Sequence, residues 1–212
     1  MKKILAEYEA EKFLSKKLPV AKSFLCKNFK DAQASAKKIG YPLVLKIIST
    51  QALHKSDIGG VVIVKDNEEL SSAFDSLIKI AKQEKIKIDG ILAQEFIQGK
   101  EVIIGIKKDP TFGHVIAFGI GGKYVEILKD ITFRACPITS DDAEQMISEL
   151  KFGKILFGAR NETPANRKIL VQTLVKVSHL PTNNKKIEEL DINPFIINDK
   201  IGKVADARIV FN

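Results

Sequence analysis

The sequence predicts an α+β protein made of two lobes that are joined by a hinge. Before Gly90, apolar runs of strand length alternate with segments of helical periodicity. After Gly90, short strand-like segments separated by turns dominate. The apolar run that begins at Ile91 lies where this texture changes, so we place the hinge near residues 93–97. The predicted division is residues 1–93, an N-terminal helix with a smaller lobe, and residues 94–212, a larger lobe.

The smaller lobe is predicted to contain helices and strands in alternation. Apolar residues at helical spacing indicate a first helix, which Pro19 ends. A second helix is capped near Asn28–Asp31 and stopped by Gly40. A long third helix is expected to have Asn67 as its cap. The predicted helices are 3–17, 31–39 and 67–85, and the predicted strands are 20–26, 42–48 and 61–64.

The larger lobe is predicted to be rich in short strands. Two long segments are apolar at helical spacing, and the remaining apolar runs are short and bounded by turn residues. The last two strands flank a turn at Asn198-Asp199-Lys200. The predicted strands are 91–97, 102–106, 115–118, 125–128, 131–138, 187–197 and 204–211, and the predicted helices are 140–150 and 164–178.

Composition argues against membrane, disulfide and zinc proteins. No run of about 18 uncharged apolar residues occurs, which is the length that a spanning helix needs. The basic N-terminus meets Glu7 before an apolar signal segment can form, so we expect a cytoplasmic protein. Cys26 and Cys136 lie far apart, and the three histidines are scattered. A disulfide framework, a zinc site and a preformed histidine metal cluster are therefore not predicted.

The formal charge of +8 permits several interpretations. Nucleic-acid binding is disfavoured, because lysines are spread along the chain and no basic stretch is interleaved with stacking aromatics. A solvated lysine-rich surface and attraction for anionic substrates such as nucleotides both remain open.

Lys46 and the loop that follows it are candidates for phosphate binding. Lys46 interrupts an apolar strand, where its ammonium must reach either water or an anion. The adjacent Gly59 and Gly60 would allow backbone N–H groups to approach a phosphate. Lys55 adds a cation, and His54 could exchange a proton or a phosphoryl group. A polar turn that precedes a strand is the alternative.

A second glycine-rich segment, Gly119–Gly122, is most simply a sharp β-turn. It lacks the Walker A pattern, and it is followed by a strand-like segment where a dinucleotide fingerprint would need a helix.

The C-terminal region contains a candidate metal site. Asp191 and Asn193 stand two apart on a predicted strand, so their side chains share one face. Two hard oxygen donors facing one way suit Mg²⁺. Asp206 is a carboxylate in an otherwise small and apolar strand, and it would complete the site if the last two strands pair. A charged strand pair at the surface is the alternative.

These segments occur together, in this order, in one family. The chain resembles the ATP-grasp subunit of the ADP-forming acyl-CoA synthetases, which are relatives of succinyl-CoA synthetase. The resemblance covers essentially the whole chain. Its carriers are Gly40–Lys46, Leu53–Val61, Gln94–Glu101, Gly119–Glu126, Asp130–Arg134, Glu189–Pro194 and Asp206–Arg208. The segment from Gly158 departs from the family pattern at one position after Arg160, because Asn161 stands where glycine is usual.

The resemblance implies an ATP-grasp fold, in which two α+β lobes clamp a nucleotide, and it assigns roles to residues. The matching lysine, Lys46, contacts the phosphates of ATP or ADP, Gly59 and Gly60 lie over them, and Lys55 is close by. The hinge, Gln94-Glu95-Phe96-Ile97, receives the adenine. Glu101 fits a ribose contact. The metal set implied for Mg²⁺ is Asn193 and Asp206, with Asp191 nearby.

The resemblance also implies an activity and a partner. Family members interconvert acyl-CoA, ADP and phosphate with a carboxylic acid, CoA and ATP through phosphohistidine intermediates. We therefore expect a ligase subunit in a hetero-oligomer, whose alpha-type partner carries the CoA site and a phosphorylated histidine. His54 matches a histidine that is thought to relay the phosphoryl group. The alternatives are a stand-alone ATP-grasp carboxylate ligase and a non-catalytic nucleotide-sensing module.

Overall fold

A computed structural model describes residues 2–49, 58–122, 130–158 and 163–212. The chain separates into two compact units. We call Ala21–Ile97 the small lobe, and Met1–Val20 together with Gln98–Asn212 the large lobe. Among the described residues, no helix combines the length and the apolar character that crossing a bilayer requires.

The small lobe is an antiparallel sheet covered by two helices. Its described strands lie in the order β2-β5-β3-β4. One face of this sheet packs against α2 and α3 through residues such as Leu45, Leu70 and Leu77. The elements in chain order are β2 (Ser23–Cys26), α2 (Phe29–Ile39), β3 (Leu43–Ile48), β4 (Val61–Val64), α3 (Asn67–Gln83) and β5 (Gly90–Glu95).

The two helices of the small lobe begin at side-chain caps. The Asn28 side chain accepts a hydrogen bond from the Asp31 N–H at the start of α2, and Gly40 ends that helix with a positive φ of 89°. The Asp66 carboxylate accepts from the N–H groups of Glu68 and Glu69, at 2.9 and 3.0 Å. Asp66 therefore caps α3 in place of the predicted Asn67, because its carboxylate stands one residue earlier and reaches both N–H groups.

The large lobe is built on a wide antiparallel sheet. Its described strands follow the path β1-β11-β9-β6-β7-β8, and β10 pairs with β9. Helices α4 and α5 cover one face, where Phe118, Met146 and Phe195 are buried. The elements are β1 (Lys3–Leu5), α1 (Glu7–Leu14), β6 (Lys100–Asp109), β7 (Gly113–Ile120), β8 (Ile131–Ala135), α4 (Ser140–Glu149), α5 (Arg167–Ser178), α6 (Leu180–Asn183), β9 (Ile187–Ile197), β10 (Gly202–Val204) and β11 (Ala207–Phe211).

The N-terminal segment belongs to the large lobe, which corrects the predicted division at residue 93. Lys3–Leu5 form a strand that pairs with Ile209–Phe211, and a helix follows only from Glu7. Ala10 and Leu14 of this helix are fully buried in the core of the large lobe. Helical periodicity in residues 3–17 could not reveal a strand whose partner lies at the other end of the chain. The boundary between the lobes falls after Ile97, beside the predicted hinge.

The predicted last strand, 204–211, is interrupted. Val204 ends β10 and Ala207 begins β11, and both strands pair with β9. Between them, Ala205 N–H donates to the Pro194 carbonyl at 3.0 Å. The predicted strand 125–128 lies outside the described residues.

Replacing Asp66 by Ala is expected to lower the free energy of unfolding by about 1 kcal/mol. The N–H groups of Glu68 and Glu69 would lose their acceptor, and urea denaturation measures the loss. Asn67→Ala is the matched control, and it should change stability by less than about 0.5 kcal/mol. A larger loss for Asn67→Ala than for Asp66→Ala would return the cap to Asn67.

Candidate functional site

Lys46 and the glycine pair are brought together in the small lobe. Lys46 lies on β3, only 8% exposed, and it pairs with Val61 at the start of β4. The Ile47 N–H donates to the Gly60 carbonyl at 2.9 Å, so the glycine pair is tied beside Lys46. Lys46 points to the sheet face opposite the helices, because its neighbours Leu45 and Ile47 belong to the helix-packed core. Gly59 has a positive φ of 70°, which glycine adopts without strain.

The residues predicted to form the base-binding hinge lie at the end of β5. Gln94 is 1% exposed and lies opposite Val44, on the same sheet face as Lys46. Glu95 uses its side chain structurally. Its carboxylate accepts from the Lys22 N–H at 3.0 Å, and its own N–H donates to the Lys22 carbonyl at 2.8 Å. Phe96 is half-buried and Ile97 is buried, which provides apolar surface next to Gln94.

Glu101 lies on β6 of the large lobe against the second glycine-rich segment. Its carbonyl accepts from the Gly121 N–H at 2.8 Å. A Cβ at Gly122, where φ is 79°, would lie 2.6 Å from the Glu101 carboxylate. A Cβ at Gly121 would lie 2.8 Å from the backbone of Glu101 and Val102. The segment is therefore more than a sharp turn, because its glycines allow it to pack directly on Glu101.

Asp191, Asn193 and Asp206 come together on the large sheet. Asp191 and Asn193 are exposed and alternate with the buried Leu190 and Ile192, so they share one face, as the two-residue spacing predicted. The last strands do pair with β9, and the Asn193 N–H donates to the Asp206 carbonyl at 3.1 Å. This register places Asp206 directly across from Asn193.

The electrostatics around Asp191 disfavour an isolated negative charge. The carboxyl is open to solvent but lies among the atoms that line a concave part of the sheet. Desolvation raises its pKa above the usual range, the charge of Glu189 raises it further, and Arg208 opposes the shift. Arg208 is itself 3.7 Å from the Glu189 carboxylate. A cation held beside Asp191 would stabilise its charged form.

The side-chain oxygens of Asp191, Asn193 and Asp206 suit a metal ion whose other ligands are water and phosphate oxygens. Within the described ranges, no group of three or more His, Cys, Asp or Glu side chains is arranged to hold a metal. Asp191, Asn193 and Asp206 supply two carboxylates and one amide, all oxygen donors. Mg²⁺ typically uses one or two carboxylates and fills its octahedron with water and phosphate oxygens. The residues therefore fit Mg²⁺ bound together with a nucleotide.

Almost the whole chain matches one protein family. The family model for the ATP-grasp domain matches residues 1–211. The chain belongs to the ATP-grasp family. The α+β fold and the ATP-grasp prediction made from the sequence are thereby confirmed.

Relatives of this ATP-grasp chain differ in length. The beta subunit of acetate–CoA ligase [ADP-forming] I from Pyrococcus furiosus is 41% identical, over 97% of this chain and 91% of its own. The 4-hydroxybutyrate–CoA ligase [ADP-forming] of Nitrosopumilus maritimus is 45% identical over 91% of this chain but only 28% of its own length.

A solved structure of a relative is also closely similar. It is the acetyl-coenzyme A synthetase 1 of Ca. Korarchaeum cryptofilum in complex with coenzyme A and Mg-AMPPCP, with its phosphohistidine segment pointing towards the nucleotide-binding site. The superposition has a TM-score of 0.85 at 39% identity and covers 99% of this chain and 93% of that one.

Two predicted residues of this ATP-grasp domain, His54 and Lys55, lie outside the described residues, as do Arg160 and Asn161.

Neither cysteine is a candidate nucleophile. Desolvation raises the pKa of Cys136 to about 11 and also raises the pKa of Cys26. Sequence reasoning missed the packing of Gly121 and Gly122 on Glu101, although the glycine spacing was the signal for it.

Gly122→Ala is expected to weaken ADP binding by roughly tenfold, the worth of one hydrogen bond to a charged group. The added Cβ would displace the Glu101 carboxylate, and calorimetric titration with ADP and Mg²⁺ measures the effect. Gly113→Ala is the matched control, because Gly113 has a similar φ of 74° but nothing within 4 Å of the added atom. If both variants lose ADP affinity by the same factor, the loss reflects backbone strain and not the contact with Glu101.

Proposed function

We propose that this chain is the nucleotide-binding subunit of an ADP-forming acyl-CoA synthetase. The reaction converts acyl-CoA, ADP and phosphate into a carboxylic acid, CoA and ATP, and it is reversible. The observation that carries the proposal is the cluster of Asp191, Asn193 and Asp206 on the open face of the large sheet. The similarity of the whole chain to a beta subunit of an ADP-forming acetate–CoA ligase supports the same assignment.

Each of the predicted nucleotide-binding residues is proposed to keep a specific role. Lys46, Lys55 and the backbone of Gly59-Gly60 bind the phosphates, since cations and N–H groups are the natural partners of phosphate oxygens. Gln94, Phe96 and Ile97 receive the adenine through an apolar surface with one amide. The Glu95 side chain is occupied with Lys22, so it keeps the end of β5 in place and leaves base contacts to its neighbours. Glu101 accepts from the ribose hydroxyls.

Asn193 and Asp206 are proposed to hold Mg²⁺ through their side-chain oxygens, with Asp191 beside them. Bound there, the metal would supply positive charge to the nucleotide phosphates. The chain's own contribution is to hold these oxygens on a rigid sheet, where β9 is paired on both sides.

The partner is proposed to be an alpha-type subunit that carries the CoA site and a phosphorylated histidine. The phosphohistidine segment of the Korarchaeum enzyme, which points towards its nucleotide site, supports this arrangement. The oxygen-donor cluster favours a catalytic subunit over a nucleotide-sensing module, because a sensor does not need a metal site for phosphoryl transfer.

His54 is proposed to relay the phosphoryl group in two steps. First, the lone pair of the neutral His54 imidazole forms a P–N bond as the P–N bond of the partner's phosphohistidine breaks. The partner's imidazole leaves with that electron pair and takes up the proton that His54 sheds. Second, a terminal oxygen of ADP forms the P–O bond of ATP as the His54 P–N bond breaks, and the His54 nitrogen takes up a proton from solvent. A typical histidine is largely neutral near pH 7.

His54→Ala, assembled with the partner, is expected to abolish ATP formation while ADP binding and phosphorylation of the partner by acyl-CoA and phosphate persist. Coupled ATP detection and autoradiography of the partner measure the two reactions. Lys46→Ala is the comparison, because it should weaken ADP binding as well. ATP formation by His54→Ala at the wild-type rate would rule out the relay, and failure of the wild-type chain to bind ADP would rule out the proposed function.

Asp206→Asn and Asn193→Ala are expected to raise the Mg²⁺ concentration needed for half-maximal ADP binding by at least about tenfold. Asn193→Ala removes an amide oxygen, and Asp206→Asn replaces a charged carboxylate by a neutral amide. Glu188→Gln is the control, since this carboxylate on the same strand pairs with Lys2 and Lys108 at 3.3 and 4.0 Å. Identical Mg²⁺ dependence in all three variants would remove these residues from the metal site.

A further inference from the structure

The turn between β9 and β10 is organised by one side chain, that of Asn198. Its Oδ1 accepts hydrogen bonds from the Lys200 and Ile201 N–H groups, both at 2.9 Å. The Asn198 N–H donates to the Ile201 carbonyl at 2.9 Å, which closes the turn. The amide oxygen therefore has its partners inside the turn, and the amide nitrogen, which can only donate, bonds outside it.

The outside partner lies at the start of β6. The Asn198 Nδ2 donates to the Gln98 carbonyl at 2.8 Å, and Gln98 is the residue at which the chain enters the large lobe from the small lobe. Beside it, Gly99 lies so close to β9 that a Cβ would be 2.5 Å from the Ile197 carbonyl oxygen. Pairing of β6 with β9 begins at the next residue, Lys100. We call the hydrogen bond from Asn198 to Gln98 the Asn198 tether.

The turn that carries the tether is itself held by other elements of the large lobe. Asn166, the cap of α5, donates its N–H to the Asn198 carbonyl at 2.8 Å and its Nδ2 to the Asp199 carbonyl at 3.0 Å. At the far end of β10, the Val204 N–H donates to the Pro19 carbonyl at 3.0 Å. A donor that is supported by further hydrogen bonds holds its acceptor more accurately than one on a free loop. The tether therefore fixes the chain just before β6 begins.

Glu101, the proposed ribose contact, lies three residues beyond the tether. It is the second residue of β6 and is exposed, and the ends of strands fray unless neighbouring groups hold them. On one side its carbonyl accepts from the Gly121 N–H, and on the other it pairs with Ile196 of β9. The tether adds a restraint along the chain itself, on the side from which β6 would open.

We propose that Asn198 is a positioning residue that sets the preference of this chain for a nucleotide with ribose hydroxyls. This inference rests on the proposed function, in which Glu101 accepts from those hydroxyls. The tether holds the end of β6, and the end of β6 holds the Glu101 carboxylate in reach of the ribose. Hydrogen bonds weaken steeply outside their preferred distances and angles, so a loosened strand end should lose this contact first.

Asn198→Asp separates the tether from the turn. The carboxylate keeps an oxygen for the Lys200 and Ile201 N–H groups but has no N–H for the Gln98 carbonyl. Calorimetric titration with Mg²⁺ present measures the affinities for ADP and for 2′,3′-dideoxy-ADP, which has the same charge and neither hydroxyl. The wild-type chain should prefer ADP by about tenfold, the typical effect of a hydrogen bond to a charged group, and Asn198→Asp should reduce this preference to about twofold.

Asn183→Asp is the matched control. The Asn183 Nδ2 also donates to a backbone carbonyl, that of His179, at 3.1 Å, and this bond is likewise exposed. The control therefore makes the same change of atoms and of net charge, on α6 of the same lobe. It should leave the preference for ADP at the wild-type value.

Glu101→Ala shows whether Asn198 acts through Glu101. By itself this variant should remove most of the preference for ADP. Adding Asn198→Asp should then leave the ratio of the two affinities unchanged, because two residues that act through one contact do not have additive effects. A further fall of the ratio in the double variant would mean that Asn198 acts by another route, and it would overturn the proposal.

The remaining outcomes distinguish the inference from the proposed function. A wild-type preference that Asn198→Asp leaves intact would overturn the inference alone. An equal loss of affinity for both nucleotides would also overturn it, because the tether would then serve only the fold. Binding of ADP and dideoxy-ADP with equal affinity by the wild-type chain would remove the ribose role of Glu101 and the inference with it. Failure of the wild-type chain to bind ADP would overturn the proposed function.

Discussion

The pairing of β9 with strands on both sides fixes which side chains of the large lobe can meet. β6 lies along one edge of β9, and β10 and β11 follow each other along the opposite edge. Each backbone hydrogen bond in this arrangement determines a neighbour, so Asp206 faces Asn193 and Gly105 faces Asp191. A slip of one residue would turn the oxygen donors into the core and Leu190 and Ile192 towards solvent, at a cost that the buried face makes prohibitive. The candidate metal site depends on this register.

Glycine serves two different purposes on this sheet. Gly119 and Gly121 are dictated by packing, because a Cβ at either position would lie within 3 Å of neighbouring backbone atoms. Gly105 has room for a side chain and carries none. The first two stabilise the fold that holds Glu101, whereas the third weakens its strand and leaves open space beside Asp191. Natural proteins retain such locally unfavourable residues mainly at functional positions.

Local patterns predicted much of this structure, and long-range partners explain most of what they missed. Strands 61–64 and 187–197 were predicted with the observed bounds, because alternating or continuous apolar residues lie between clear turn signals. The shared face of Asp191 and Asn193 follows from the two-residue period of a strand. The placement of residues 3–5 on β11 could not be predicted, because their spacing fits a helix until the partner strand is known. The packing of Gly122 on Glu101 likewise joins β6 to the segment that follows β7. The roles of the site residues stay predictions.

The strand formed by Lys3–Leu5 has a consequence for how this protein behaves among other molecules. It occupies the outer side of β11, whose N–H and C=O groups would otherwise form an open hydrogen-bonding edge. Open edges recruit strands from neighbouring chains and are a common origin of aggregation and of domain-swapped dimers. This short strand, two of whose residues are exposed, therefore covers the hydrogen-bonding edge of β11. Loss of Lys3–Leu5 would leave the backbone groups of β11 along that side without their partner strand.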